Sequence, residues 1–598
     1  MLEQELQTKQ QKRDARVKTS MPKKLIDATD VGQKRARKLT LLLVEGDSAK
    51  PIAQRIQRKK GDHLYGVYPV SGKLPNPRNR KDKKASTSAA QEETEEANSE
   101  EDDTSQEHGN KNKKNQQAVK LRQLKSAMGL AGLERCTVDE QAENLRYGNI
   151  GIMTDPDDDG TDIKCQLVNI FSWEFPKLCR NKNPHHHSNA KATLKFYEYV
   201  LPVSEGNYRF GRQPFLKEDD QVHFNQQNQS ELLHISYLKG LGSFNTEDAV
   251  KRLHRHNSPP PIKQLTCDVG AEEMAEIAFG EAFEASRKSY VHSYQRNSRD
   301  MSKTQTDFSE LLRTDFVQYM GRDVTRKIPS VMDGLVDSKR KVVYVVQRVM
   351  PNGEKMKTAQ LGSETANLTN YHHDENTLSK GIVPLAADYT GAANLPLLVG
   401  EGQFGTREYD GKNFSSPRYT HVRPHKNLHL LFKQRFELCL KRTEAEGQNV
   451  EFVFFVAPVI GYNAMQGTAS GSRCMVRPRN VLSLVQLYRK RLHGELNFFH
   501  CTHKDLMKPC YNGWNGSIEQ NHNGAWSSNG CCHYEGKDRN DYAEYRVTTL
   551  PVTSGTQNTG NYEEQLGNWQ KNGWIAHWQP RHTDEDICFA VYLSREQQ

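Results

Sequence analysis

The chain has 598 residues, a formal net charge of +9 and a hydrophobic content of 35%. It is longer than one typical domain, and we expect two or three folded domains with polar insertions. No apolar run reaches the roughly 20 residues of a membrane span, and the N-terminus lacks the apolar stretch of a secretory signal. Eleven scattered cysteines argue against a disulfide framework. These features predict a soluble intracellular protein without membrane contact, and the positive charge suits an anionic partner such as nucleic acid.

Two segments share the order of apolar strand, acidic turn and helix. The first strand, at 39–44, is followed at once by Glu45, and the second strand, at 149–153, leads into a run of aspartates. Functional groups gather at the carboxyl ends of parallel strands, so we expect these acids to converge on one point. Clustered carboxylates repel one another unless a hard cation lies among them, which favours Mg²⁺. The acids concerned are Glu45, Asp155, Asp157 and Asp159.

The acidic turn "TDPDDDG" permits two other interpretations. It opens like an EF-hand calcium loop, but position twelve of that loop is Gln166 where a glutamate belongs. The preceding run also has the pattern of a strand, whereas an EF-hand loop follows a helix. A solvated acidic turn is the other alternative, and the second strand-acid-helix segment weakens it.

Polar segments interrupt the predicted domains. Residues 79–118 alternate basic, acidic and basic blocks with almost nothing to bury, which predicts a disordered insertion. A later stretch is rich in Asn and Gly. Its adjacent cysteines lack the CxxC geometry of most structural zinc sites, so zinc is a disfavoured alternative there. The ligands of such a site would be Cys531, Cys532 and His533, with Cys510 or His503.

Four ordered motifs identify a family resemblance. They are "LLLVEGDSAK", "YGVYPVSGKLPNPR", "LRYGNIGIMTDPDDDGTDIK" and "YLKGLGS". In order and spacing they resemble the Toprim domain of type IIA DNA topoisomerases, specifically eukaryotic topoisomerase II. The later segments "RKIPSVMDGLVDSKRKV", "YHHDENTL", "GQFGTREYDGKNFSSPRYTHV" and "EGQNVEFVFFVAPVIGYNAMQG" look like the winged-helix and tower regions of the same enzymes.

The resemblance implies an architecture. An α/β Toprim domain, with a parallel sheet and flanking helices, is followed by a mainly α winged-helix domain and an α+β tower domain. The expected boundaries are 1–35 for a tail and linker, 36–300 for Toprim, 305–440 for the winged helix with the catalytic tyrosine, and 441–598 for a truncated tower.

The resemblance also implies an activity, which is Mg²⁺-dependent transient cleavage and religation of double-stranded DNA. A tyrosine attacks a DNA phosphate and forms a phosphotyrosine intermediate, and the matching residue is Tyr419 in "SPRYT". Arg418 matches the residue that stabilises charge on the phosphoryl group. Arg326, and His372 or His373, match further groups around the scissile phosphate.

Metal-binding and DNA-binding positions are implied in the same way. Glu45, Asp155 and Asp157 match the magnesium ligands, and Asp159 is an auxiliary acid. DNA-contacting positions match Lys73, Asn76, Lys239, Arg287, Lys288, Arg340, Lys341 and Thr377. Thr468 stands where the family has an isoleucine that wedges between base pairs and bends DNA, and a small hydroxyl side chain is a poor wedge.

Several other positions depart from the family pattern. Ser71 replaces an arginine, Asp162 replaces a histidine and Val336 replaces a lysine. Glu281 and Ala282 stand at two positions that are basic in the family. These changes fall at positions that bind or bend DNA in the family, whereas every residue expected to take part in cleavage is present.

The resemblance extends over nearly the whole chain but corresponds only to the DNA cleavage core of the family's enzymes. We expect no counterpart of the ATPase domain, the coiled coil or the C-terminal gate in this sequence, so ATP is a family cofactor without an expected site here. Activity would require a homodimer or a heterodimer with full-length topoisomerase II, in the nucleus. The alternative is a catalytically weak or inactive paralogue that binds DNA or partners the full-length enzyme in chromosome segregation.

Overall fold

The structure is a computed structural model in which the chain forms two compact units, Met1–Asp323 and Val324–Gln598. It describes residues 21–32, 36–70, 72–78, 106–180, 194–216, 218–238, 240–243, 247, 261–292, 299–331, 333–369, 371, 375–432, 441–443, 447–449, 461–495, 508–522, 524–552, 559–583 and 586–597. No helix within these ranges is long and apolar enough to cross a membrane.

The first unit contains a mixed sheet with helices around it. Strand order is β2-β1-β3-β4-β8-β9. The strands of this unit are β1 (Thr40–Glu45), β2 (Tyr65–Val70), β3 (Asn149–Met153), β4 (Lys195–Tyr199), β5 (Ser204–Tyr208), β6 (Gly211–Phe215), β7 (Leu232–Tyr237), β8 (Ile262–Thr266) and β9 (Gln305–Asp307). Its helices are α1 (Lys50–Lys60), α2 (Gln106–Met128), α3 (Val138–Asn144), α4 (Asp158–Glu174), α5 (Pro176–Cys179), α6 (Glu218–Gln227), α7 (Ala271–Phe279), α8 (Glu284–His292) and α9 (Phe308–Leu311).

The sheet is parallel where the sequence predicts it. Strands β2, β1, β3 and β4 are parallel neighbours, whereas β8 runs antiparallel to β4. Nearly every residue of β1 and β3 is buried, as expected for strands covered on both faces. Helix α1 buries Ile52 and Ile56. The predicted α/β class is confirmed, with a mixed sheet in place of a wholly parallel one.

One helix overlaps the end of the predicted disordered insertion, whose boundaries stay a prediction. Helix α2 begins at Gln106, inside the segment 79–118, and the rest of that prediction, at 79–105, lies outside the described residues. The C-terminal turns of α2 bury Leu121 and Leu124 in the core. Once such turns are fixed by packing, each further residue adds a hydrogen bond at low cost, so the helix extends into polar sequence.

The second unit combines helices with small antiparallel sheets. Its helices are α10 (Val317–Lys327), in which the division between the units falls, α11 (Asp337–Val349), α12 (Thr358–Leu368), α13 (Glu375–Ala386), α14 (Lys426–Leu431), α15 (Val481–Leu492) and α16 (Thr559–Lys571). Its strands are β10 (Met356–Lys357), β11 (Leu398–Glu401), β12 (His421–Pro424), β13 (Lys441–Thr443), β14 (Gly447–Asn449), β15 (Met465–Ala469), β16 (Ser472–Val476), β17 (Ser517–Gln520), β18 (Trp526–Asn529), β19 (Cys531–Lys537), β20 (Ala543–Thr549), β21 (His577–Pro580) and β22 (Phe589–Leu593). Helices dominate before residue 432 and sheets after residue 461, in agreement with the predicted order of a helical and then an α+β region.

Candidate functional site

The acids at the ends of β1 and β3 lie next to each other. The two strands are paired up to Val44 and Met153, so the turns that follow leave the sheet side by side. The Asp155 amide donates a hydrogen bond to Glu45 Oε2 over 3.0 Å. Asp157 caps α4, where its Oδ1 accepts from the Gly160 amide at 2.8 Å.

Two glycines let the backbone approach Asp155. A Cβ atom at Gly160 would lie 2.1 Å from the Asp155 carbonyl oxygen, and one at Gly240 would lie 2.7 Å from its Oδ2. The Leu241 amide then donates to Asp155 Oδ1 over 2.7 Å. The requirement for glycine at 160 and 240 was missed in the sequence, because spacing alone does not show which backbone segments come together.

Burial and mutual repulsion raise the pKa values of these carboxyl groups. Burial, followed by the charges of the three aspartates, raises the pKa of Glu45 to about 8. Burial also raises the pKa of Asp157 to about 6 and that of Asp155 above its ordinary value. A divalent cation would reverse these shifts, since it favours the ionised carboxylates.

The carboxylates are of a type that binds Mg²⁺, although they do not form a closed metal site. Across the described residues, no three carboxylate, histidine or cysteine side chains are arranged to hold a metal ion, in this turn or near Cys531. The carboxylates of Glu45, Asp155 and Asp157 each accept a backbone hydrogen bond, which fixes one oxygen of each group. Mg²⁺ commonly uses one or two protein carboxylates and keeps water or phosphate oxygens for the rest, so the site fits that cation.

Lys73 is bound to the residue that departs from the family pattern. Its ammonium lies 2.6 Å from Asp162 Oδ2 and 3.7 Å from Asp159 Oδ1. The Tyr319 hydroxyl accepts from Lys73 over 3.0 Å and donates to Asp162 over 3.1 Å. Although burial opposes the charge, the Asp162 carboxylate raises the pKa of Lys73 above its usual range. No motif pointed to Tyr319, which lies 157 residues from Asp162 in the chain.

Three other predicted DNA contacts make hydrogen bonds within the protein. The Asn76 side chain donates to the Phe279 carbonyl over 2.7 Å. Arg287 donates to the carbonyls of Ile277, Ala278 and Gly280 at the end of α7. Arg340 is buried and forms a two-point ion pair with the fully buried Asp333. The roles of these residues in DNA binding remain predictions.

The remaining predicted DNA contacts are more accessible or lie outside the described residues. Lys288 is paired with Glu284 at 2.6 Å, and Lys341 with Asp337 at 3.1 Å. Thr377 is exposed near the start of α13. The residues outside the described ranges are Lys239, His372 and His373.

Thr468 lies on an exposed position of the β15–β16 hairpin, opposite Arg473. The preceding Gly467 packs closely on the chain after α10, since a Cβ there would lie 2.3 Å from the Lys327 carbonyl oxygen. Arg326 lies in the last turn of α10 and is half-buried. The hairpin therefore presents Thr468 from a closely packed base.

The Tyr419 side chain stands on an anchored turn and is 67% exposed. On one side, the Ala359 amide donates to the Pro417 carbonyl, and on the other the Thr358 amide donates to the Thr420 carbonyl, both over 3.0 Å. The buried Thr358 and Thr420 hydroxyls are also 2.8 Å apart. The Arg418 guanidinium lies 4.8 Å from the centre of the Tyr419 ring. A phenol is thus presented to solvent beside a cation.

Comparison with known families defines the class of protein. Residues 40–190 match the Toprim domain family, and residues 326–598 match the family of the DNA gyrase and topoisomerase IV A subunits. A solved structure titled as the Plasmodium falciparum topoisomerase II DNA-binding, cleavage and re-ligation domain shares the fold. The two structures superpose with a TM-score of 0.68 and 24% sequence identity. The superposition covers 96% of this chain and 71% of the other. The chain therefore combines a Toprim domain with a gyrase A-like domain and is homologous to the cleavage core of type IIA topoisomerases.

Full-length relatives specify the branch of the family. The chain is 27% identical to DNA topoisomerase 2 of Arabidopsis thaliana over 96% of its own length and 36% of the relative. It is 29% identical to DNA topoisomerase 2 of Invertebrate iridescent virus 6, over 88% of this chain and 45% of that protein. The chain is homologous to the middle region of eukaryotic topoisomerase II and spans about a third of the Arabidopsis relative's length.

Proposed function

We propose that this chain binds double-stranded DNA and transiently cleaves and religates both strands through Tyr419, in a Mg²⁺-dependent reaction that alters DNA topology. The observation that carries the proposal is the exposed phenol of Tyr419 on a turn anchored by hydrogen bonds on both sides. A nucleophile held in this way loses little conformational freedom when it meets a phosphate, which lowers the barrier to attack.

The chemistry follows from the groups at this turn. The Tyr419 phenolic oxygen attacks a DNA phosphorus and loses its proton, while the bond from phosphorus to the 3′ oxygen breaks and that oxygen takes a proton. Attack by the same 3′ hydroxyl reverses the step and reseals the strand. An ordinary phenol, with a pKa of about 10, is a weak nucleophile and needs neighbouring cations. Arg418, beside the ring, would stabilise charge on the phosphoryl oxygens.

Glu45, Asp155 and Asp157 would hold Mg²⁺, with Asp159 as an auxiliary acid. When bound, the cation would polarise the scissile phosphate and assist departure of the 3′ oxygen. The protein's own contribution is to keep these carboxylates at adjoining strand ends, which the Asp155–Glu45 hydrogen bond maintains.

The partner is proposed from the family resemblance. In the family, the tyrosine of one subunit lies near the Toprim acids of the other. We therefore propose that this chain forms a homodimer or a heterodimer with full-length topoisomerase II. We propose a nuclear location from the basic clusters of the sequence. Because one relative is named as a mitochondrial DNA topoisomerase 2, fluorescence imaging of the tagged chain with markers of both compartments tests the location.

A second candidate function is supported by the basic residues. Lys73, Arg287 and Arg340 are engaged with protein groups in the structure. Such a chain would hold fewer phosphates than a full topoisomerase core, which favours a catalytically weak paralogue that binds DNA or partners the full-length enzyme in chromosome segregation.

Covalent trapping tests the first function. The purified chain is incubated with labelled duplex DNA and Mg²⁺ and then denatured with detergent, and protein-linked DNA is measured. We expect an adduct that disappears in Tyr419→Phe. The matched control is Tyr409→Phe, because Tyr409 is 48% exposed and lies in the same segment.

Two outcomes would separate the candidates. An adduct that survives in Tyr419→Phe would exclude Tyr419 as the nucleophile. If the wild-type dimer gives no adduct with any divalent ion tested, the enzymatic proposal fails. DNA binding without an adduct, together with co-purification of full-length topoisomerase II, would then support the partner function.

A further inference from the structure

A small cavity in the second unit contains one ionisable side chain. Its volume is about 160 Å³. Most of the lining residues are apolar, and they come from the start of α11 and the chain before it, the end of α13, the chain before β11 and the start of β15. Representative lining residues are Leu335, Lys339, Leu385, Ala393, Leu397 and Asn463. The cavity is large enough for a small organic molecule, and Lys339 is its only titratable lining residue in the described ranges.

Lys339 has no partner within the described part of the chain, although its neighbours do. Arg340 pairs with Asp333, and Lys341 pairs with Asp337 at 3.1 Å. The nearby acids are therefore already engaged with other cations. Desolvation alone lowers the pKa of Lys339, with no carboxylate contributing an opposite effect. Burial without a counter-ion favours the neutral amine, which is the nucleophilic form.

A second polar side chain of the cavity, Asn463, is not available to a ligand because its hydrogen-bonding groups are already used. The Asn463 amide oxygen accepts from the Leu395 amide over 2.8 Å, and its nitrogen donates to the Leu395 carbonyl over 2.9 Å. Because both ends of this side chain are used, the reactive side-chain group that the cavity offers an incoming molecule is the Lys339 amine, beside apolar side chains and the amide of Gln466. An anion could pair with only one ammonium group in the cavity, whereas a small carbonyl compound could react with the neutral amine.

We propose that this cavity binds small aliphatic aldehydes and that Lys339 condenses with them to form an imine. The Lys339 nitrogen attacks the carbonyl carbon, and one of its protons passes to the carbonyl oxygen to give a carbinolamine. Loss of the second nitrogen proton with the hydroxyl group releases water and leaves the C=N bond. The step needs no oxidant or reductant. It is independent of DNA cleavage and would mark a covalent modification site on helix α11.

Reductive trapping of the full chain tests the proposal. The protein is treated near neutral pH with limiting n-butanal and cyanoborohydride, and the alkylated lysines are quantified by peptide mass spectrometry. Because its lowered pKa leaves a larger neutral fraction of the amine, we expect Lys339 to react several-fold faster than the exposed Lys357. A bulky aldehyde such as naphthaldehyde should lose this preference for Lys339.

Two variants separate the cavity from general lysine reactivity. Lys339→Arg should remove the fast alkylation event and leave the others unchanged. Ala393→Leu, which fills part of the cavity while keeping the amine, should slow alkylation of Lys339 but not of Lys357. Equal rates at Lys339 and Lys357 in the wild-type protein would overturn the proposal even if neither variant folded. Fast alkylation by naphthaldehyde would also overturn it, because the cavity could not be the site.

Discussion

At the scale of single residues, the ion pair between Lys73 and Asp162 links a departure from the family pattern to DNA affinity. The Asp162 side chain is buried and holds the Lys73 ammonium at 2.6 Å, with Tyr319 bridging both groups. An ammonium neutralised in this way contributes less to phosphate binding. In the proposed complex with DNA, Asp162 would therefore compete with the DNA backbone for the Lys73 cation.

Removal of this competitor should strengthen DNA binding. We expect Asp162→Asn to tighten binding at low salt and to steepen the slope of log affinity against log salt by about one, because one more phosphate is neutralised. Fluorescence anisotropy across a salt series measures the slope. Asp139→Asn, an exposed substitution with the same change in charge, is the control. An equal effect of both variants would show that net charge, and not the release of Lys73, is responsible.

Residue types at this scale could be predicted from the sequence, but their partners could not. Asn76, Arg287 and Arg340 were expected among the DNA contacts because each matches a family position. The structure shows each of them bonded within the protein, and the Asn76 acceptor, Phe279, is 203 residues away in the chain. Linear spacing carries no information about such distant partners, so the internal bonding of these side chains was not predictable.

At the scale of elements, the adjoining ends of β1 and β3 should make stability depend on pH. The pKa values of Glu45, about 8, and Asp157, about 6, lie above the ordinary carboxyl value of about 4. Protonation therefore favours the folded state, and this stability is lost as the pH rises through these values. In metal-free buffer, the urea midpoint of the first unit should fall as the pH rises from about 4, where these groups ionise in the unfolded chain, to about 8, and should level off above that.

The matched variant for this prediction is Glu45→Gln, which should flatten the part of the decrease between about pH 6 and pH 8, where Asp157 is already ionised in the folded state and Glu45 is not. Glu281→Gln removes an exposed carboxylate and should leave the decrease unchanged. Mg²⁺ should stabilise the wild-type protein more at high pH, because it binds the ionised carboxylates. Identical pH profiles for the wild-type protein and Glu45→Gln would contradict this account of the site.

The same elements show how far local sequence predicts the fold. The pattern at 149–153 predicted β3 to the residue, and the helix expected after the acidic turn is α4, which buries Ile163, Leu167 and Ile170. The three-stranded sheet of β5, β6 and β7 was not predicted. Its strands read "SEGNY", "GRQPF" and "LLHISY", and the first two lack an apolar run that would distinguish them from a loop.

At the scale of the whole molecule, each unit has its own hydrophobic core and its own buried ion pairs. One large core consists of residues between Ala28 and Met320, and another of residues between Leu335 and Leu487. Glu198 is buried with Lys164 and Arg299 in the first unit, and Asp333 with Arg340 in the second. Removal of one partner from such a pair leaves a buried charge uncompensated.

We predict that the two units lose stability separately. Asp333→Asn should destabilise the second unit by about 3–5 kcal/mol and leave the first unchanged, and Glu198→Gln should do the reverse. Hydrogen exchange followed by mass spectrometry measures this, with protection of β3 and of α11 reporting on the two units. If each variant lowered protection equally at both elements, the units would form one cooperative system, and this prediction would be wrong.

The anchored turn of Tyr419 also has a mechanical consequence. In the proposed reaction, Tyr419 would be covalently joined to a DNA end and would bear any tension on that duplex while the break is open. The hydrogen bonds from the Thr358 and Ala359 amides distribute such a load over both sides of the turn, into the first turn of α12 and into β12. A pull on the phenolic oxygen would therefore be resisted by a helix and a sheet, so the broken end would stay in place for resealing.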